Sequence, residues 1–328
     1  MTLRVIWLFA GAAAVALAIA VRAPLATTVL GLMAFGVLHN VLELRYVTGR
    51  FAAVLAGRLL SWLLGLITVI VLCRLAAMIV GEPARLAEIV IGYAVLLAAC
   101  VAGLRGPALV AAAAVLAIAT AASLSWPAYH FVVLSHLHNV VPLFFLWEWS
   151  ARLPTPALRR SFRSVQLGWV LVVPAVLLSG VLDRHFGGTS SSLAGFAGNP
   201  RPIVAASAPP AAVLTEMGLR LLVVFAFLQT MHYFVWVYFF PRHAPDAARA
   251  FEVRVPWLSG ARAWTLGAAV GVALAVVFVT DYASGKAVYS AFASYHAYLE
   301  FPVILATLLG LGAATVPNRA EYQAVGAR

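Results

Sequence analysis

Apolar runs of about twenty residues, each closed by proline, glycine or arginine, follow one another along this chain, and runs of that length are what a membrane-crossing helix requires. Read in such windows, the sequence predicts ten spans, at roughly 3–21, 25–44, 59–80, 86–104, 107–126, 128–150, 165–182, 217–240, 263–281 and 289–314. Pro24, Gly81 with Pro83, Gly106 with Pro107, Pro127, Pro154 with Pro156, Pro241 and Pro317 mark the joins. The expected fold class is all-α, a polytopic integral membrane helical bundle forming one transmembrane domain over 1–328. One longer stretch, 183–216, is rich in Gly, Ser, Ala and Pro and reads as an extracytoplasmic loop.

Polar residues that recur inside these runs carry the functional signal. Leu38-His39-Asn40-Val41-Leu42-Glu43 lies in the second run, and Tyr295-His296-Ala297-Tyr298-Leu299-Glu300 in the last. Ser135-His136-Leu137-His138-Asn139 and Thr230-Met231-His232-Tyr233 fall between them. An ionisable group at membrane depth is costly, so each points to function. Four histidine-bearing helices suggest a buried metal or cofactor site. The bland alternative is that each histidine merely hydrogen-bonds a neighbouring helix.

Composition narrows the class. With 64% hydrophobic and 10% charged residues, the chain is not a soluble domain. The net charge of +11 does not imply a nucleic-acid partner, because the basic residues sit in short loops and report topology. Cys73 and Cys100 both fall inside expected spans, which excludes a disulfide framework or a zinc knuckle. The first run, ending near Ala18-Ile19-Ala20, reads as a retained helix in preference to a cleaved signal peptide.

Sorting the 22 basic residues by this topology puts fifteen on the side of the termini and seven on the other. The positive-inside rule then places both termini in the cytoplasm of a cell-membrane protein. His39, His136, His138, His232 and His296 all lie on even-numbered spans, at depths that overlap near the midplane. One cluster is therefore feasible.

His39 and Glu43 are four residues apart and share a helix face, as do His296 and Glu300. Each carboxylate can bind a metal directly or orient a ligating histidine on a neighbouring helix. His136 and His138 point in opposite directions, and His138 is favoured because Pro142 frees its carbonyl and kinks the helix beside it. His130, His185 and His243 read as solvated, Glu148 as an interfacial residue between two tryptophans, and Glu216 with Arg220 as a structural pair. Glu43 has an alternative role, pairing with an arginine at the cytoplasmic boundary. The run Tyr233 to Phe240 reads as packing or as the wall of an apolar pocket. Leu-His-Asn-Val occurs at 38–41 and again at 138–141, without wider similarity around it.

At these residues the chain resembles the Brp/Blh family of integral membrane β-carotene 15,15′-dioxygenases. Leu38-His39-Asn40-Val41-Leu42-Glu43 is similar to that family's early Pro-His-Gly-Ala-Leu-Asp element, with glutamate for aspartate. His138 corresponds to its middle histidine, His232-Tyr233-Phe234-Val235-Trp236 to its aromatic-Val-Trp element, and His296 with Glu300 to its last. The chain departs from the pattern at Leu228, where the family has a second histidine four residues earlier, and in lacking the family's middle His-Phe-Gly.

The resemblance implies a non-haem iron dioxygenase with Fe(2+) on His39, His138, His232 and His296, and with Glu43 and Glu300 beside the ligands. Its implied partners are the lipid bilayer and an apolar substrate such as a carotenoid. Two other readings stand beside it: a haem-binding protein, with histidines as axial ligands, and a proton- or ion-coupled transporter.

Overall fold

A computed structural model describes residues 2–187 and 201–311. Residues 188–200 of the expected loop, and 312–328 with the end of the expected last span, lie outside the described residues.

Every regular element among the described residues is helical. The order is α1 (Thr2–Arg22), α2 (Pro24–Arg50), α3 (Gly57–Val80), α4 (Glu82–Gly103), α5 (Gly106–Ser125), α6 (Pro127–Val140) and α7 (Pro142–Trp149). There follow α8 (Pro156–Leu167), α9 (Val173–Leu178), α10 (Arg201–Ala205), α11 (Glu216–Tyr233), α12 (Phe240–His243), α13 (Pro245–Arg254), α14 (Gly260–Thr280) and α15 (Tyr282–Leu308). Several of these continue into one another, so that 127–152, 156–178 and 216–243 each run as one long helical rod.

Nine rods among the described residues are long and apolar enough to cross a membrane, which marks a multi-pass membrane protein by length and composition. The sequence predicts ten spans, and the difference is α15. It is 27 residues long, yet it carries Lys286, His296 and Glu300 and is too polar to stand among the nine. Its polar face is turned inward: His296, Ser294 and Glu300 are all buried.

Local chemistry sets the boundaries that differ from expectation. Asp281 caps α15, its Oδ1 accepting from the N–H groups of Ala283 and Ser284, so the helix begins seven residues before the expected 289. It stops at Leu308, because Gly310 takes φ +81° and the N–H groups of Gly310 and Leu311 turn back to Thr307 and Ala306. The seventh span starts at Pro156 instead of 165, with Thr155 capping the Leu158 N–H.

Proline shapes the long rods. Pro142 divides α6 from α7: the Val141 N–H bonds back to both Leu137 and His138, and Pro142 offers no N–H to the His138 carbonyl. Two wide π turns, Gly168–Val172 and Phe234–Phe239, each come immediately before a short helix with proline in its first turn, Pro174 and Pro241. Widening the turn relieves the clash between a proline ring and the preceding carbonyls.

The rod of α11 is the core of the bundle, two-thirds buried, whereas α5 buries none of its residues. Around α11 stand α1, α2 and α6; α15 packs on α2, α3, α4 and α14. Below His232, the side chains of Phe9, Phe145, Trp149, Phe162, Trp236 and Phe239 fill one aromatic core, with Phe9 edge-on to Phe162, Phe234 and Phe239.

One end of the bundle gathers the basic residues. There Arg45 pairs with Glu252, Arg50 with Glu148, and Arg152 with both oxygens of Asp246, while Arg254 donates to the Ala52 and Leu55 carbonyls in the turn after α2. The approach of α13 to α2 requires glycine: a Cβ on Gly49 would stand 2.0 Å from the Ala247 carbonyl oxygen.

Candidate metal centre

His39 on α2, His138 on α6, His232 on α11 and His296 on α15 meet in the interior of the bundle. Each offers one ring nitrogen, and the four nitrogens lie within 4.8 Å of one another. The Nε2 of His296 is 3.2 Å from the Nε2 of His39 and also 3.2 Å from that of His138. His39, His232 and His296 are buried, and His138 keeps 17% of its side chain accessible from an adjoining cavity.

Neighbouring groups fix the tautomers of two rings. The Nδ1–H of His39 donates to the Phe35 carbonyl at 3.0 Å, one turn earlier on its own helix. The Nδ1–H of His138 donates to Glu300 Oε2 at 2.7 Å. Both rings therefore aim an Nε2 lone pair at the common centre. A single N–H on His296 can satisfy only one of those two lone pairs. The other is left facing it unpaired.

The carboxylates complete the site. Glu43 and Glu300 are both fully buried. Glu43 Oε2 lies 3.6 Å from His232 Nε2 and meets no arginine, so the boundary ion-pair role is not the one it takes. With both carboxylates ionised, both Glu43 oxygens, both ring nitrogens of His232, Nδ1 of His296 and Oε1 of Glu300 have no hydrogen-bond partner, and Glu43 and Glu300 stand within hydrogen-bonding reach of each other. Orphaned buried polar atoms in such number cost too much to leave in an apolar bundle.

A divalent cation fits what is there. Imidazole nitrogens about 2.0–2.1 Å from one tetrahedral ion stand about 3.3 Å apart; the two 3.2 Å spacings match this, and the wider ones, up to 4.8 Å, require the rings to draw in by small rotations for all four to reach one ion. A divalent charge would also balance two buried carboxylates, leaving the site neutral overall. A haem fits poorly, because the remaining imidazoles occupy the space a macrocycle would need between any two of them.

His136 points elsewhere, as expected for a residue two positions from His138. Its Nε2–H donates to the Ser207 carbonyl at 2.8 Å and holds the buried stretch around Ile203, Ser207 and Ala208 against the bundle. Other expectations need correction. His130 is half-buried against Ser123, and His243 stacks on Phe239, so only His185 is solvent-exposed as read. Glu148 is an ion-pair partner of Arg50 and not merely an interfacial residue. Arg220 sits 3.8 Å from Glu216, but its close partner is Asp183, at 2.5 Å.

The aromatic run divides its work. Trp236, Phe239 and Phe240 are core, whereas Phe234 and Tyr238 line an open apolar groove of about 680 Å³ with Leu30, Phe35 and Trp264. A second, polar cavity of about 190 Å³ opens on all four histidine helices and includes His39, His138, His232 and His296 in its lining. Tyr233 lines both spaces, its ring 4.6 Å from that of His39 and its hydroxyl accepting from Gln229.

A second buried charge network escaped the reading of the sequence. Arg74 on α3 pairs with Glu88 on α4 at 2.8 Å, Tyr298 donates to the same carboxylate at 2.7 Å, and Arg74 also donates to the Ser290 carbonyl. The signal was present: Arg74 and Glu88 are equidistant from Gly81, so folding two antiparallel helices at that glycine sets them opposite each other.

Comparison with known protein families, with curated proteins and with solved structures finds no match to this chain in any of the three.

Proposed function

We propose that this protein is a membrane-embedded non-haem iron oxygenase that cleaves a polyene drawn from the lipid phase. The observation that carries this reading is the convergence of four imidazoles, with two buried carboxylates beside them, on one point inside an apolar bundle. Imidazole suits iron, copper and zinc alike, and the choice of iron rests on the resemblance of the histidine motifs to the Brp/Blh dioxygenases. Iron held by His39, His138, His232 and His296 would supply the binding and activation of O₂. Cleaving one C=C bond with one O₂ gives two carbonyl groups, and this balances with no added reductant.

The chain's own residues do the rest. Glu300 holds the His138 ring in register, and Glu43 stands against His232. Packed helices keep bulk water from the centre. Tyr233 stands between the apolar groove and the histidines, where a chain entering from the bilayer would pass. We further propose that α15 makes a tenth crossing and that the protein sits in the cell membrane with both termini cytoplasmic, since the arginine-rich end of the bundle follows the positive-inside rule.

The test is turnover of a panel of polyenes, hydrocarbons and carboxylic acids alike, in mixed micelles by iron-loaded protein, following O₂ consumption and carbonyl product together. Stoichiometric O₂ uptake with paired aldehydes is expected. Iron-loaded protein that consumes no O₂ with any polyene offered would overturn the oxygenase reading and favour ion-coupled transport.

A further inference from the structure

The polar cavity beside the histidines has a cationic end that the oxygenase reading leaves without a purpose. Arg74 and Lys286 both line it, together with Tyr282, Tyr289, Gln229 and Ser290. Arg74 is accounted for, because Glu88 neutralises it. Lys286 is not. It is half-buried on α15, and among the described residues no carboxylate forms an ion pair with it. The nearest acid in sequence, Asp281, is exposed and committed to Ser284 and to capping the helix.

An ammonium that lines a cavity within a bundle without a counter-ion is costly, and a lysine near a helix end ordinarily extends to the interface instead. Tyr282 and Ser290, elsewhere in the same lining, carry hydroxyl groups suited to an oxygenated anion. The cavity is also small: about 190 Å³ lies below the range of about 300–1,000 Å³ usual for drug-sized ligands. It holds a head group and a slender chain, not the bulk of a whole carotenoid. Ten residues of α15 separate Lys286 from His296, about 15 Å of rise. A head group held at Lys286 therefore directs an attached chain along Tyr289, Ser290 and Ala293 toward the metal centre.

We propose that Lys286 anchors the carboxylate of an amphiphilic substrate, so that the molecule cleaved at the histidine centre is an unsaturated acid and not a hydrocarbon. This deepens the oxygenase reading and rests on it for the word substrate, but the anion site itself does not depend on a bound metal. The carboxylate chemistry has two sources, the head of a membrane amphiphile or a small free acid, and chain-length dependence separates them.

The experiment uses the full chain purified in an uncharged detergent, with 1-¹³C-octanoate, acetate and octan-1-ol as probes. Binding is followed by carboxyl NMR shift or by calorimetry, and metal content is measured on the same samples. Octanoate is expected to bind saturably, about 10-fold or more tightly than octan-1-ol, since a charge-assisted contact is being read. Lys286→Met should erase that preference, and Lys286→Arg should keep most of it. Acetate that binds as well as octanoate would overturn the amphiphile and leave a small-anion site. Octanoate binding unchanged in Lys286→Met, in protein that remains monodisperse, would overturn the proposal altogether. A wild-type protein that binds octanoate but no metal would refute the oxygenase reading while leaving the anion site in place.

Discussion

Glu300 Oε2 receives a hydrogen bond from His138 Nδ1 at 2.7 Å, across the seam between α15 and α6. This contact turns the other nitrogen of His138 toward the three remaining imidazoles and ties the last helix to the first half of the bundle. Glu300→Gln keeps the shape and one acceptor but loses the charge that steadies the ring. A loss of about 10–100-fold in metal affinity is expected, as is usual when the partner of a ligating histidine is altered. Competition with a chelator of known affinity measures it.

His136 and His138 provide an internal control on the same helix. His138→Ala should remove a ligand and most of the bound metal. His136→Ala should leave metal content unchanged while freeing the buried stretch around Ser207, whose carbonyl His136 holds. Limited proteolysis near residues 201–208 reports that loosening. Equal metal loss in both variants would contradict the assignment.

The Arg74–Glu88 pair is a stability element at the edge of the site. Glu88→Gln leaves a guanidinium facing a neutral group, and removing one partner of a buried pair typically costs about 3–5 kcal/mol. Replacing both, as Arg74→Met with Glu88→Leu, should recover much of the loss, although Tyr298 then lacks its acceptor. Thermal unfolding of the three proteins in one detergent checks the order.

Tyr233 separates the apolar groove from the histidine cavity. Tyr233→Phe should cost little, about 1 kcal/mol for the lost hydrogen bond from Gln229. Tyr233→Ala should join the two spaces and change which chain lengths are turned over, with metal content unaffected. Product profiles on substrates of graded length give the answer.

Orientation is open to direct labelling. In a Cys73→Ser, Cys100→Ser background, Arg160→Cys should be shielded from an impermeant thiol reagent in intact cells, and Arg184→Cys should react. Both positions are exposed, so access depends on side and not on burial.

The sequence made the fold legible because helices in lipid must be predominantly apolar, and nine of the rods are. It was least accurate at α15, which is shielded by α2, α3, α4 and α14 and escapes that constraint. The histidines were legible because four of them fall at overlapping depths on different apolar runs, whereas His136, in the same run as His138, takes the other role and only hydrogen-bonds a neighbouring segment. His39 with Glu43 and His296 with Glu300 could be paired by helical spacing, but spacing alone did not show that Glu300 serves His138 on another helix. Arg74 with Glu88 required folding the hairpin at Gly81 first. The cavity at Lys286 involves side chains far apart in sequence, and no local pattern announces it.

The central claim is that four histidines hold one metal ion. Metal analysis with visible spectroscopy, on detergent-purified wild-type and His232→Ala proteins of equal helicity and monodispersity, tests it most directly. One iron per chain without a Soret band in the wild type, and its loss in the variant, is the predicted result. A folded wild-type protein that retains no metal after incubation with iron, or that carries a haem, would contradict the account.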